Sequence, residues 1–174
     1  MTARRALLGI GAAVAVTFAL TACTGSAAPD EGAAPSEPTS ASGPMTCETI
    51  LRPSFAEQLA ELGWSAQQSP FRIGEHELAE GIQCVWGDAA HATDVAQMYG
   101  WAPVAPEQTA ELQQYLEDNG WLREEDGDVV YLTEDPDVVG YLEEGEYGMT
   151  YQFASGWVAL ADTKESLDLI TWRG

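Results

Sequence analysis

The strongest constraint on this chain is a change of composition at Cys23. Two arginines precede an uncharged, mostly apolar run that ends at Ala22, and residues 24–44 hold only small residues, prolines and three acids. A segment without large apolar side chains cannot form a core. The chain is therefore predicted to consist of an export signal, a disordered tether and one globular domain, at residues 1–22, 23–44 and 45–174.

The residues Leu20-Thr21-Ala22-Cys23 resemble the lipobox of bacterial lipoproteins. The resemblance implies cleavage before Cys23, a thioether-linked diacylglycerol on its sulfur and often a further acyl chain on the new amino group. Two acyl chains anchor a protein stably, whereas one chain binds reversibly. We therefore expect the protein to be lipid-anchored in the cell membrane and to face the extracytoplasmic side. An ordinary cleaved signal with an incidental cysteine is the alternative, and the export route stays open between general secretory and twin-arginine.

The charge of the domain limits its partners. Residues 45–174 contain 25 acidic and five basic side chains, because three of the 28 acids and two of the seven bases lie upstream, so the net charge is −20. Such a surface repels phosphate groups, which argues against a nucleic-acid partner. The charge either provides solubility or attracts a cationic ligand, a metal ion or a basic protein, and the sequence leaves both open.

Two cysteines remain once Cys23 is assigned to lipid. Cys47 and Cys84 would lie in an oxidising compartment, where paired thiols form disulfides. A loop of about 37 residues closed in this way is worth roughly 3.8 kcal/mol in the chain-entropy model. A zinc site is disfavoured, because two thiols without a nearby histidine pair do not complete four ligands. We predict one disulfide between Cys47 and Cys84.

The periodicity of apolar residues predicts an α+β domain with an antiparallel sheet of five or six strands and two or three packed helices. Ser54 and Glu57 form a capping-box pattern at the start of a first helix, which Gly63 ends. A second helix is predicted from Pro106 to Asp118, where proline suits the first helical position.

Strands are predicted where side chains alternate with period two. Two of them cover residues 81–87 and 95–101, and two hairpins are predicted around Glu-Asp-Gly at 125–127 and Ala-Ser-Gly at 154–156. In the first strand Ile82, Cys84 and Trp86 share one face, so Trp86 is expected beside the disulfide. Thr163 either caps a final helix or precedes an edge strand at 167–172.

The whole layout resembles that of small lipoproteins of actinobacterial cell envelopes. The shared features are the lipobox, the tether, a cysteine at the first helix (Cys47), a Cys-x-Trp strand (Cys84 and Trp86) and a late aromatic hairpin at 151–157. A looser likeness to the Mog1/PsbP type of α+β domain is compatible with the same pattern. The likeness covers nearly all of the chain, but apart from the lipobox its shared motifs are structural, and no catalytic residues can be carried over from it.

Enzymatic chemistry finds little support in the sequence. No nucleophile elbow, Ser-x-x-Lys or His-Glu-x-x-His motif occurs, and there are only two histidines, His76 and His91. They flank the strand at 82–86 from opposite sides, and seven extended residues span roughly 23 Å, so a shared metal or proton relay is not expected. Close carboxylate pairs arise by chance at this acid content. We predict a protein that is not an enzyme.

Six tryptophans raise the alternative of glycan binding, because exposed aromatic faces stack on sugar rings. They are Trp64, Trp86, Trp101, Trp121, Trp157 and Trp172. The competing interpretation is that a small domain fills its core with large side chains. A cluster of exposed rings on one face would favour glycan binding, and dispersed or buried rings would argue against it.

One segment has most of a calcium-loop pattern. Asp135 and Asp137 occupy the first and third places of DPDVVGYLEEGE, and Glu143 and Glu146 the ninth and twelfth. The fifth place departs from the pattern, because Val139 offers no oxygen ligand. The sequence therefore predicts at most a weak calcium site here and no other cofactor.

These observations together predict a membrane-anchored, extracytoplasmic lipoprotein whose domain acts as a non-enzymatic binding or interaction module of the cell envelope. A basic protein or a wall glycan is the expected kind of partner. The alternative is an envelope enzyme, or an enzyme accessory, that acts on cell-wall glycans. A deep polar pocket with a carboxylate pair would favour the enzyme, and a shallow acidic face would favour the module.

Overall fold

The structure is a computed structural model, and it describes residues 43–91, 95–140 and 148–174. The predicted export signal, Cys23 and nearly all of the predicted tether lie outside the described residues. The elements follow in chain order as α1 (Pro53–Glu61), β1 (Trp64–Ile73), β2 (His76–Asp88), β3 (Ala96–Pro103), α2 (Pro106–Asp118), β4 (Leu122–Asp126), β5 (Val129–Thr133), α3 (Pro136–Val139), β6 (Thr150–Ala154), β7 (Trp157–Ala161) and a 3₁₀ helix (Glu165–Leu169).

The strands form one antiparallel sheet in the order β1-β2-β3-β7-β6-β5-β4. Every neighbouring pair is sequential along the chain except β3 and β7, which meet in the middle of the sheet. The predicted α+β class, the antiparallel sheet and the single disulfide are confirmed, and the described residues contain seven strands rather than five or six. The extra strand is β1, which forms one edge.

The sheet carries a hydrophobic core on each face. One core contains the disulfide and the inward side chains Trp86, Tyr99 and Trp101, and helix α1 and the 3₁₀ helix contribute Leu59 and Leu167 to it. The other core is built around α2, whose Leu112 and Leu116 join residues from β5, β6 and β7. Side chains that alternate along each strand thus enter two separate cores.

Phe71 explains why two glycines are required within strands. A Cβ atom at Gly100 would lie 2.7 Å from Cε2 of Phe71, and one at Gly81 would lie 2.8 Å from Cβ of Phe71 and 2.3 Å from Cβ of Ala102. Neither glycine has the left-handed backbone that favours glycine, so close approach of the ring is the reason for both. Phe71 is completely buried and occupies the space that a Cβ atom at either glycine would need.

The predicted first helix is real, but the predicted cap is wrong. Helix α1 begins at Pro53 with Arg52 as its N-cap, and no side chain caps it. Proline fits the first helical position because it lacks the N–H that would be unpaired there. Ser54 therefore lies inside the first turn instead of at its start. The predicted end is correct, since Gly63 has a left-handed φ of 78°.

Three other local predictions can be compared with the structure. The first hairpin turns at Gly127-Asp128, one residue later than predicted, because β4 continues to Asp126. Helix α2 has the predicted bounds. Thr163 Oγ1 accepts a hydrogen bond from the Ser166 N–H at 3.2 Å just before the last helix, which is a 3₁₀ helix with Lys164 at its N-cap position.

Candidate binding surface

The predicted disulfide joins the segment before α1 to the inner strand β2. The Cα atoms of Cys47 and Cys84 lie 5.6 Å apart, and both side chains are buried. Trp86 belongs to the same core cluster, as predicted. The disulfide is therefore structural: it ties the start of the domain to the middle of the β1–β2–β3 half of the sheet.

The two histidines have different partners, as their sequence positions predicted. The ring of His76 meets that of Tyr115 edge-on, with centroids 4.7 Å apart. His91 Nδ1 lies 2.8 Å from Oδ2 of Asp88. This contact, together with backbone hydrogen bonds, lowers the pKa of Asp88. His76 is half-buried against α2.

Half of the predicted calcium site can be placed. Asp135 is the N-cap of α3, and its Oδ1 accepts the N–H of Asp137 at 2.9 Å. Glu143 and Glu146 lie outside the described residues. Among the residues that the structure describes, no group of three His, Cys, Asp or Glu side chains is arranged to hold a metal ion. Calcium binding stays a prediction, and Asp135 already serves as a helix cap.

None of the six tryptophans is exposed. Trp86, Trp101 and Trp172 are buried, and the other three are half-buried. Arg173 stacks over the Trp157 ring at 4.4 Å, so a base of the domain itself covers one face of this ring. The exposed aromatic platform that would favour glycan stacking is thus not formed by these side chains.

One face of β1, β2 and β3 is open to solvent. Paired residues of the three strands present their side chains on this face, and we call it the open face; it comprises Ser65, Gln67, Ser69, Gln83, Val85 and Met98. The three β1 residues are exposed and the other three are half-buried. Because the opposite side of the same strands carries the disulfide core, the open face rests on a rigid support.

The open face is uncharged, which is unusual in this domain. Its side chains are hydroxyls, carboxamides, an isopropyl group and a thioether, and Gln83 Nε2 contacts Met98 Sδ at 2.9 Å. Residues 62–74, 81–87 and 95–105 contain no acid at all, against twelve acids in residues 117–146. A surface of this kind offers hydrogen bonds and apolar contact.

A shallow cleft of about 180 Å³ lies at one end of the open face. It is lined by Ser65, Gln67, Val85, Gly87, Asp88, Ala89, Val95 and Ala96. Among these lining residues, Asp88 is the one that carries a carboxylate. The cleft is smaller than the sites that enclose a drug-sized ligand, at roughly 300 to 1,000 Å³. It therefore suits a side chain or small group that projects from a larger partner.

Asp162 marks the border between the open face and the acidic half of the sheet. Its Oδ2 accepts the N–H of Met98 at 2.8 Å, just beyond the end of β7. Burial raises the pKa of Asp162, and the charge of Glu134 raises it further, while the Met98 hydrogen bond lowers it. Burial, reinforced by the Asp162 charge, raises the pKa of Tyr99 to about 12.

Two other clefts in the described part of the chain were candidates for an enzyme site. A cleft of about 370 Å³ at the irregular part of the β1–β2 hairpin includes Glu77 and Glu80. Both glutamates are exposed, and Glu77 pairs with Arg72. General acid catalysis by a carboxyl group at neutral pH needs burial or a like charge to raise its pKa. The other cleft, of about 400 Å³, lies beside α2 and has one carboxylate, Asp128.

The sequence did not predict the open face, because β1 was not predicted. The residues of β1 that face the open side are serines and glutamine, so the strand lacks the apolar alternation by which strands are found. The absence of acids from three separate segments was the available signal. It gains meaning only when the sheet places these segments side by side.

The described residues contain no helix that is long and apolar enough to cross a membrane. Comparisons with protein-family models, with curated proteins and with solved structures found no match to this chain.

Proposed function

We propose that this protein is a membrane-anchored, extracytoplasmic lipoprotein whose domain binds another macromolecule of the cell envelope without carrying out chemistry. The observation that carries the binding role is the open face: an uncharged, supported surface on three strands of a domain with a net charge of −20. Unpaired acids elsewhere keep non-specific partners of like charge away. A partner can therefore contact the uncharged area with the smallest electrostatic penalty.

The anchoring half of the proposal rests on Leu20-Thr21-Ala22-Cys23 and on the tether that follows. Changing Cys23 to Ala should release the protein into the medium or stop its processing. The mass of the wild-type protein should include the lipid and begin at Cys23. A mature terminus elsewhere without lipid mass would contradict anchoring, and measuring the processed mass also detects a variant that is retained only by an uncut signal.

The binding half can be tested in intact cells with a photo-crosslinking amino acid at Val85, in the middle of the open face. We expect adducts to a defined neighbour from this position. The matched control is the same amino acid at Glu125, an exposed residue of β4 at the opposite edge of the sheet. Equal adducts from both positions, or none from Val85, would contradict a binding role for the open face.

A deep pocket with a buried carboxylate pair would have supported an enzyme that acts on wall glycans. The three described clefts offer only the exposed glutamates Glu77 and Glu80 together, and Asp128 and Asp88 each singly. The enzyme alternative thus has no specific structural observation in its favour. A binding module remains the function that the geometry supports best.

A further inference from the structure

Within the described residues no strand pairs with the outer edge of β1, and the first half of this strand lacks the usual protection. Residues 64–69 are Trp-Ser-Ala-Gln-Gln-Ser, without any charge, and β1 is the terminal strand of the sheet. Edge strands present unpaired N–H and C=O groups, and proteins commonly protect them with charges, proline or bulges. Here Pro70 and the irregularity after it protect only the second half of β1.

We infer that a second copy of this chain pairs with β1, edge to edge and antiparallel, to form one continuous sheet of fourteen strands. The unprotected stretch is six residues long, which is the usual length of a strand. A two-fold axis through this edge pairs the stretch with itself, so a single surface serves both partners. The pairing is independent of the ligand of the open face.

The distribution of charge favours this edge as the contact between two copies of the chain. Two domains of charge −20 repel each other wherever their acids meet. In the β1-to-β1 arrangement the acidic β4 edges lie at opposite ends, about 60 Å apart at roughly 4.8 Å per strand. That distance is many times the Debye length of about 8 Å at physiological salt. The uncharged stretch at 64–69 of each copy then lies at the centre of the assembly.

The apolar residues next to this edge fit the same arrangement. Leu62 is 68% exposed at the end of α1, and Pro70 is exposed at the other end of the stretch. With Ala66 on the two-fold axis, Ser65 faces Gln67 of the second copy, and Leu62 and Pro70 lie just beyond the two ends of the paired stretch. Pairing would join the two open faces into one surface of six strands.

The test uses the full chain in its own membrane, with a photo-crosslinking amino acid at the exposed edge residue Gln68. We expect an adduct with twice the mass of one chain. The same amino acid at Glu125 on β4 should give none. An adduct of any other mass would show that a different protein occupies the edge, and the absence of an adduct would also overturn the inference. Adducts from Val85 report on the proposed function separately.

Charge substitutions test the register. Ser65→Glu with Gln67→Glu places like charges opposite each other twice, so the yield of the double-mass adduct should fall about fivefold. Ser65→Lys with Gln67→Glu places opposite charges there and should restore it. Both positions are exposed, and an intact Cys47–Cys84 disulfide confirms folding of each variant. Equal yields from both double variants would overturn the pairing with Ala66 on the axis.

Discussion

The two edges of the sheet are built in opposite ways. Strand β4 has five residues, of which four are charged, and it is held from both sides by ion pairs. Arg123 of β4 forms ion pairs with Glu117 of α2 and with Glu125 of its own strand. Lys164 forms an ion pair with Glu124. Strand β1 has ten residues with one charge, Arg72. The β4 edge carries charged side chains that form ion pairs, whereas the β1 edge is stabilised by packing against the disulfide core.

This difference shows that the acids are unevenly distributed over the sheet. Residues 117–146, which run from the end of α2 through β4 and β5, hold 12 of the 25 acids of the domain, and Arg123 and Lys164 form ion pairs with some of them. The open face on β1, β2 and β3 is uncharged, and this part of the domain depends on apolar packing and on the disulfide.

The largest effect is expected from the disulfide of the β1 side. Replacing Cys47 and Cys84 by Ala should lower the free energy of unfolding by up to about 3.8 kcal/mol, because the unfolded chain regains the entropy of the closed loop. For a domain of this size the melting temperature should fall by roughly 10 to 20 °C. Thermal unfolding followed by circular dichroism measures the change.

Reductant supplies the control for this prediction. It should lower the melting temperature of the wild type and leave that of the double-alanine variant unchanged. Hydrogen exchange should speed up first in the segment around Cys47, which the bond holds to β2. Two alkylatable thiols in domain protein purified without reductant would contradict the disulfide itself.

A smaller effect is expected on the β4 side. Arg123→Gln removes two ion pairs of a partly exposed guanidinium, and such pairs are worth under about 1 kcal/mol together. The matched change is Arg72→Gln in the β1–β2 hairpin, where one exposed pair with Glu77 is lost. We expect the Arg123 variant to be the less stable of the two at low salt. Chemical denaturation should show this gap closing in 0.5 M salt, through a screening length of about 4 Å; a gap that persists would point to packing rather than charge.

The smallest effect concerns pH and lies at the border. Burial raises the pKa of Asp162 above its ordinary 3.8, so the folded state favours the neutral carboxyl. Its contribution to stability is therefore fully present below pH 3.8 and is lost as pH rises through the raised pKa. The Asp162→Asn variant should gain stability relative to the wild type over that rise. Glu134 and Tyr99 are not substituted in this variant.

Asp88→Asn is the control with the opposite sign. Hydrogen bonds from His91 and Ala90 lower the pKa of Asp88, so its contribution is present above pH 3.8 and is lost as pH falls through the lowered value. Denaturant midpoints measured between pH 3 and 7 should diverge for the two variants. Parallel pH profiles would show that burial of Asp162 does not shift its ionisation.

The sequence predicted those elements in which local chemistry and packing agree. Helix α2 has a proline at its start, a glycine beyond its end and a buried apolar stripe, and its bounds were correct. The strand with Ile82, Cys84 and Trp86 was found because its alternate residues are large and buried on one side. The disulfide followed from the number of cysteines and the expected compartment.

The parts that were missed depend on contacts made far along the chain. Strand β1 has little apolar alternation, since one of its sides is open and it pairs with a single neighbour. The cap at Ser54 was displaced because Pro53 is itself a good first residue of a helix. The open face exists only because β1, β2 and β3 lie side by side, and no local pattern marks a surface that nothing covers.

The position of the disulfide also determines how the domain carries force. Cys47 lies three residues after Pro44, where the predicted tether ends. Tension on the chain upstream passes at Cys47 through the sulfur bridge to Cys84, which lies in β2 between two paired strands. Helix α1 and strand β1, within the closed loop, are outside the load path. A pull on the chain upstream of Cys47 would thus act on an inner strand of the sheet rather than on an edge strand.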